Sequence, residues 1–99
     1  MPEAFRVVFS DAAQNDLITT TRYIDDPATR ERYISNIIER TRQIGRYPLA
    51  FAERTMPSGR RYRAVTYKSH IFFYRVDQVA EVMYVVRIFH GAQDYGPEM

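Results

Sequence analysis

No cysteine occurs in this chain, which removes disulfides, thiolate nucleophiles and cysteine-ligated zinc together. That absence fits a reducing compartment. Tryptophan is missing too, and only four glycines are present, too few for a phosphate-cradling glycine-rich loop. No run approaches the ~20 apolar residues of a membrane span, and the opening MPEAFRVVF lacks a signal-peptide core. The expectation is a cytoplasmic protein with no membrane association. With two histidines and no second one at ligand spacing, a protein-built metal site is not expected, and no cofactor motif is present. Ser58-Gly59 stands outside any nucleophile-elbow context, so acyl transfer has no candidate serine. Lysine is nearly absent: Lys68 is the only one, and every other basic side chain is arginine.

What is present describes one ordinary globular domain spanning residues 1–99. A hydrophobic fraction of 45% argues against disorder. At this length roughly two-thirds of the unfolded surface can be buried, so one modest core forms without covalent staples. The net charge of +2 is mild and does not by itself indicate nucleic acid. The preference for arginine is more informative, because its planar fork of donors matches carboxylates and phosphates. The eight tyrosines read first as packing residues.

Along the chain, Phe5 to Phe9 is short, apolar and β-branched, and predicts a buried strand. Ser10 is a helix N-cap candidate, and Ala13, Leu17, Thr20, Thr21 and Ile24 recur at helical spacing. Asp26-Pro27 opens a second helix, with a stripe at Ile34, Ile37, Ile38, Thr41 and Ile44. Gly45 stands where a left-handed C-terminal cap is expected. Residues 46–61 carry two prolines and a glycine without a period, and read as loop. Three strand-like runs follow, Tyr62 to Tyr67, Ile71 to Val76 and Val82 to Phe89, with Lys68-Ser69-His70 and Asp77 to Ala80 as turns. The predicted fold is α+β, β-α-α-β-β-β, a helical hairpin on one face of a mainly antiparallel four-stranded sheet.

The stretch VVRIFHGAQDY (residues 85–95) gathers the side chains that phosphodiester-cleaving sites use. Strand alternation argues against a dyad within it. Arg87 falls on the face of Met83, Val85 and Phe89, and His90 on the face of Val86 and Ile88. A meander would let Arg63, Arg75 and Arg87 line the helix-free face, unless they pair with carboxylates such as Glu53 or Asp94. On residues alone, a nuclease and an obligate binding protein both remain open.

The order of these segments resembles the RelE/ParE superfamily of bacterial toxins, and within it the ParE branch. FRVVFSDAAQNDLITTTRYI is similar to the family's opening strand and helix, with an A-x-x-D-L core at Ala13, Asp16 and Leu17. YRAVTYKSHIFFYRV resembles its central hairpin, and VVRIFHGAQD its R-x-x-H-G-x-x-D ending at Arg87, His90, Gly91 and Asp94. Gln93 departs from the basic residue often found there. The resemblance implies the toxin of a type II toxin–antitoxin system, neutralised by a ParD-like antitoxin in a hetero-oligomer. It implies a binding protein rather than an enzyme, one that inhibits DNA gyrase and meets nucleic acid only indirectly, through gyrase. The gyrase-contacting residues would be Arg87 and His90, with Arg60, Arg61, Arg63 and Arg75; Tyr23 and Tyr33 would receive the antitoxin. The alternative within the superfamily is a ribosome-dependent endoribonuclease of the RelE type, built on Arg63, Arg87, His90 and Tyr95. The near absence of lysine weighs against it.

Overall fold

A computed structural model of the chain describes residues 4–91 and 99. The elements run β1 (Arg6–Phe9), α1 (Asp11–Thr19), α2 (Pro27–Ile44), β2 (Glu53–Thr55), β3 (Arg61–Tyr67), β4 (His70–Asp77) and β5 (Val82–His90). They form one sheet in the order β1-β5-β4-β3-β2. Only the β1–β5 pair is parallel; the other three are antiparallel. The α+β class is as predicted, and the sheet has five strands rather than four. The extra strand, β2, lies in the segment read as loop. Its three residues, Glu53, Arg54 and Thr55, are all exposed and carry no apolar alternation, so only pairing with β3 reveals it.

Local chemistry accounts for the helix boundaries. The Ser10 hydroxyl accepts from the Ala13 N–H and starts α1. The helix ends at Thr19, before the predicted Ile24. Thr20 and Thr21 turn their hydroxyls back onto the carbonyls of Asp16 and Leu17, both at 2.6 Å, in a segment of weak helix propensity. Asp26 caps α2 through the Thr29 N–H, with Pro27 in the first turn. The Arg30 guanidinium then closes the junction by donating to the Ile24 carbonyl. Gly45 does not adopt the predicted left-handed conformation, since its φ is −57°. Glycine is required there for room: a Cβ would lie 2.9 Å from the Phe5 carbonyl oxygen.

The main core lies between the helices and the sheet, where Ala13, Leu17, Ile37 and Ile44 meet Val65, Phe72, Tyr74, Met83, Val85 and Ile88. The opposite face carries a second cluster of Met56, Tyr62, Ile71, Phe73, Phe89 and Met99. The centre of that face is therefore apolar, whereas the sequence pattern predicted it open and arginine-lined. β4 is buried on both sides, which explains its unbroken Ile71-Phe72-Phe73-Tyr74 run.

Candidate functional site

Three groups of polar side chains are set by this architecture. The first lies where β1 gives out. β1 pairs with β5 only as far as Phe9 opposite Val85, and beyond that point α1 supplies the partners. The Ser10 N–H donates to the Val85 carbonyl and its hydroxyl to the Val86 carbonyl. Asp16 accepts from the Ile88 N–H at 3.0 Å. Asp16 also takes the Arg87 Nε and Nη2 at 2.7 and 3.1 Å, in a largely buried bidentate pair. Arg87 is thus tied to the scaffold and lies 4.8 Å over the Phe89 ring.

A bulge sits at the same place. Phe73 faces Arg87 and Tyr74 faces Val85, so Val86 is the extra residue of β5. Alternation therefore breaks between Val85 and Arg87. Arg87 shares the helix-free face with Phe73 and Phe89, and not with Met83 and Val85 as predicted. His90 shares the helix side with Ile88, and Val86 packs with the second cluster instead. The expected separation of Arg87 from His90 holds, because regular alternation resumes after the bulge and carries through to His90.

The second group is an imidazole–phenol cluster at the end of the sheet under the helix junction. His70, read as a turn residue, is in fact the first residue of β4 and is buried. Only Lys68 and Ser69 make the turn, with Lys68 at φ +51°. His70 Nε2 faces the Thr20 carbonyl at 3.2 Å, so that nitrogen carries the proton, and Nδ1 accepts from the Tyr33 hydroxyl at 2.8 Å. Burial pushes the His70 pKa below its usual 6.5; the Thr20 hydrogen bond opposes this and His90 adds to it. His90 is the cross-strand partner of His70, ring to ring at 5.1 Å, and meets Tyr23 edge-on at 5.4 Å. Burial likewise raises the Tyr33 pKa. Three residues assigned to different partners from sequence, Tyr23, Tyr33 and His90, thus belong to one surface. Tyr23 is its exposed part, 57% accessible.

The third group is the arginine-rich end of β2, β3 and β4. A cleft of about 220 Å³ there is lined by Glu53, Arg61, Tyr62, Arg63, Tyr74 and Arg75 among others. Glu53 sits between Arg61, at 3.2 Å, and Arg63, at 3.5 Å. Arg63 also donates to the Phe51 carbonyl and faces the helix side opposite Tyr74. Arg75 lies on the helix-free face with its guanidinium 4.4 Å over the Tyr84 ring. The predicted row of Arg63, Arg75 and Arg87 on one face does not form, because Arg63 occupies the other. Arg60 is exposed at the entrance to β3. Tyr95, Asp94 and Gln93 lie outside the described residues. Among the described residues no cluster of three or more His, Cys, Asp or Glu is placed to hold a metal. No helix among them is long and apolar enough to cross a membrane.

Of the residues that matter here, sequence reasoning undervalued His70 and Asp16. The parity of His70 with Phe72 and Tyr74 was the available signal for the first. Asp16 was marked only as part of the A-x-x-D-L core, and its pairing with Arg87, 71 positions away, has no local signal.

The fold is a two-layer α+β domain whose bulged last strand is clasped by its first helix. The structure is similar to the RelBE2 toxin–antitoxin complex from Mycobacterium tuberculosis, with a TM-score of 0.67 and 19% identity over 94% of this chain and 98% of that one. It is also similar to the chromosomal ParDE system from P. aeruginosa, with a TM-score of 0.69 and 16% identity over 88% and 96% of the two chains. Curated protein sequences offer no significant match. Residues 7–95 match the family described as ParE toxin of type II toxin–antitoxin system, parDE, and the chain belongs to that family.

Proposed function

We propose that this toxin arrests growth by binding DNA gyrase and stabilising its DNA cleavage complex, acting by recognition rather than by chemistry of its own. The observation that carries this reading is the fate of the strand-end pair. Arg87 is clasped by Asp16 on one side of the sheet, while His90 packs between Tyr23 and His70 on the other. A general base and an electrostatic stabiliser must converge on the same phosphodiester, and these two do not. Purified toxin at micromolar concentration should inhibit supercoiling and accumulate protein-linked DNA breaks. Unimpaired supercoiling at that concentration would overturn the reading.

A ParD-like antitoxin is the partner that fits the exposed Tyr23, whose ring cluster includes Tyr33, together with the exposed Ile18 of α1, through an amphipathic segment laid on the helices. The resulting particle is a hetero-oligomer, and its setting is the cytoplasm, where gyrase acts. Tyr23→Asp should abolish rescue by a co-expressed antitoxin while leaving growth arrest intact.

A second reading, ribosome-dependent mRNA cleavage, is favoured by one feature, the Glu53 carboxylate held beside the Arg61 and Arg63 guanidinium groups. It demands cleavage of the A-site codon on programmed ribosomes, lost in His90→Ala. Intact message in that assay excludes it.

A further inference from the structure

Charge is unevenly distributed along this chain. Between residues 53 and 75 there are six basic side chains and one carboxylate, Glu53, whereas the remaining positions hold eight basic and eleven acidic ones. The mild net charge therefore conceals a basic segment on a mildly acidic body. The fold gathers the five arginines of that segment at one end, because β2 and β3 form the outer hairpin of the sheet and β4 runs beside them. Lys68 lies at the other end of β3, over Tyr33 and Tyr67. Arg54, Arg60, Arg61 and Arg75 are exposed at the arginine end, and Arg61 and Arg75 line the cleft of about 220 Å³.

Two features make this end a binding element rather than a solvated fringe. Three of its arginines are held in place: Arg61 and Arg63 share the Glu53 carboxylate, and the Arg75 guanidinium lies 4.4 Å over the Tyr84 ring. Held guanidinium groups lose less freedom on engaging a phosphate than mobile lysines do. The rings lining the cleft, Tyr62 and Tyr74, are buried and offer no face to a splayed base. A surface that supplies guanidinium groups without stacking platforms reads backbone phosphates, as duplex-binding proteins do, rather than unstacked single strands.

We propose that the arginine-lined end formed by β2, β3 and Arg75 grips the sugar-phosphate backbone of duplex DNA. This departs from the sequence-based expectation that nucleic acid is met only through gyrase. It does not depend on the gyrase reading, because it is measured on DNA without gyrase.

The test is fluorescence anisotropy of a short labelled duplex titrated with the full-length toxin across a salt series. Four phosphate contacts weaken binding by about 150-fold between about 50 and 200 mM salt, and two contacts by only about 12-fold. Arg61→Gln/Arg75→Gln removes two exposed contacts. It should weaken binding and lower the salt sensitivity from the first figure towards the second. Arg42→Gln/Arg46→Gln makes the same change in net charge on α2 and just beyond it, and should leave both quantities near wild type. Far-ultraviolet circular dichroism confirms that each variant folds. Absence of duplex binding at low salt overturns the proposal. So does equal weakening by the two double variants, which would reduce the effect to net charge, or tighter binding to single-stranded RNA of the same length. A parallel supercoiling assay keeps the two readings separate: toxin that inhibits gyrase without binding bare DNA refutes only this proposal.

Discussion

The Asp16–Arg87 pair sets a stability test whose size follows from its geometry. Asp16 accepts three hydrogen bonds, two from the Arg87 guanidinium and one from the Ile88 N–H. Both side chains are mostly withdrawn from water, at 12% and 25% accessibility. Removing one partner of a buried pair costs ~3–5 kcal/mol, and the residual exposure of Arg87 places Asp16→Ala near the lower end. For a domain of this size ~3 kcal/mol corresponds to a fall in Tm of roughly 12–24 °C. Asp16→Asn keeps an oxygen for the Ile88 N–H and should recover about 1 kcal/mol of that loss. Arg87→Met leaves the carboxylate with its backbone donor and should cost about 2 kcal/mol. A double-mutant cycle of Asp16→Asn with Arg87→Met, followed by urea denaturation, should give a coupling above about 1.5 kcal/mol. A loss under ~1 kcal/mol for Asp16→Ala would place the pair among solvent-screened surface bridges. Arg87 would then be a recognition residue, as the sequence suggested, and not part of the scaffold.

Three further outcomes are expected. His70 has a pKa below its unfolded 6.5, so the unfolded chain binds more protons as pH falls. Stability from this site is complete above pH 6.5 and declines as pH drops towards the folded value; thermal melts from pH 7 to 5 should show a shallower slope for His70→Gln, and identical slopes would refute the assignment. Gly45→Ala places a Cβ 2.9 Å from the Phe5 carbonyl and should destabilise by about 1–3 kcal/mol despite an allowed φ, as read by chemical denaturation. Tyr74, whose hydroxyl donates to the Pro48 carbonyl at 2.7 Å, has its pKa pushed up to about 12 by burial. Tyr74→Phe should cost ~1–2 kcal/mol, and ultraviolet titration should show one fewer phenol ionising only at the alkaline end.

Local signals carried most of the fold. Ser10 and Asp26 marked both helix starts, and the alternating apolar runs located β3, β4 and β5 to within a residue. The misses share a cause, which is that their determinants lie far away in the chain. β2 exists because β3 pairs with it, and Gly45 is needed because Phe5 passes close by. His70 looked like a turn residue because it is polar and follows Lys68-Ser69, and its parity with Phe72 and Tyr74 was its one sign of burial. Its partners, Thr20 and Tyr33, are 50 and 37 positions distant.

For the candidate site the division is sharper. Residue types and their order determined the toxin family resemblance, the shortage of lysine and the concentration of arginine between residues 53 and 75. Hydrophobic period and capping chemistry are local, so the element order is legible in the residues alone. Which arginines are available to a partner was decided only in three dimensions. One extra residue at Val86 re-aims the end of β5, Asp16 of α1 engages Arg87 in place of a strand partner, and Glu53 of β2 gathers Arg61 and Arg63. Identical guanidinium groups become scaffold or surface according to which carboxylate the folded chain brings within 4 Å, and no sequence spacing encodes that distance.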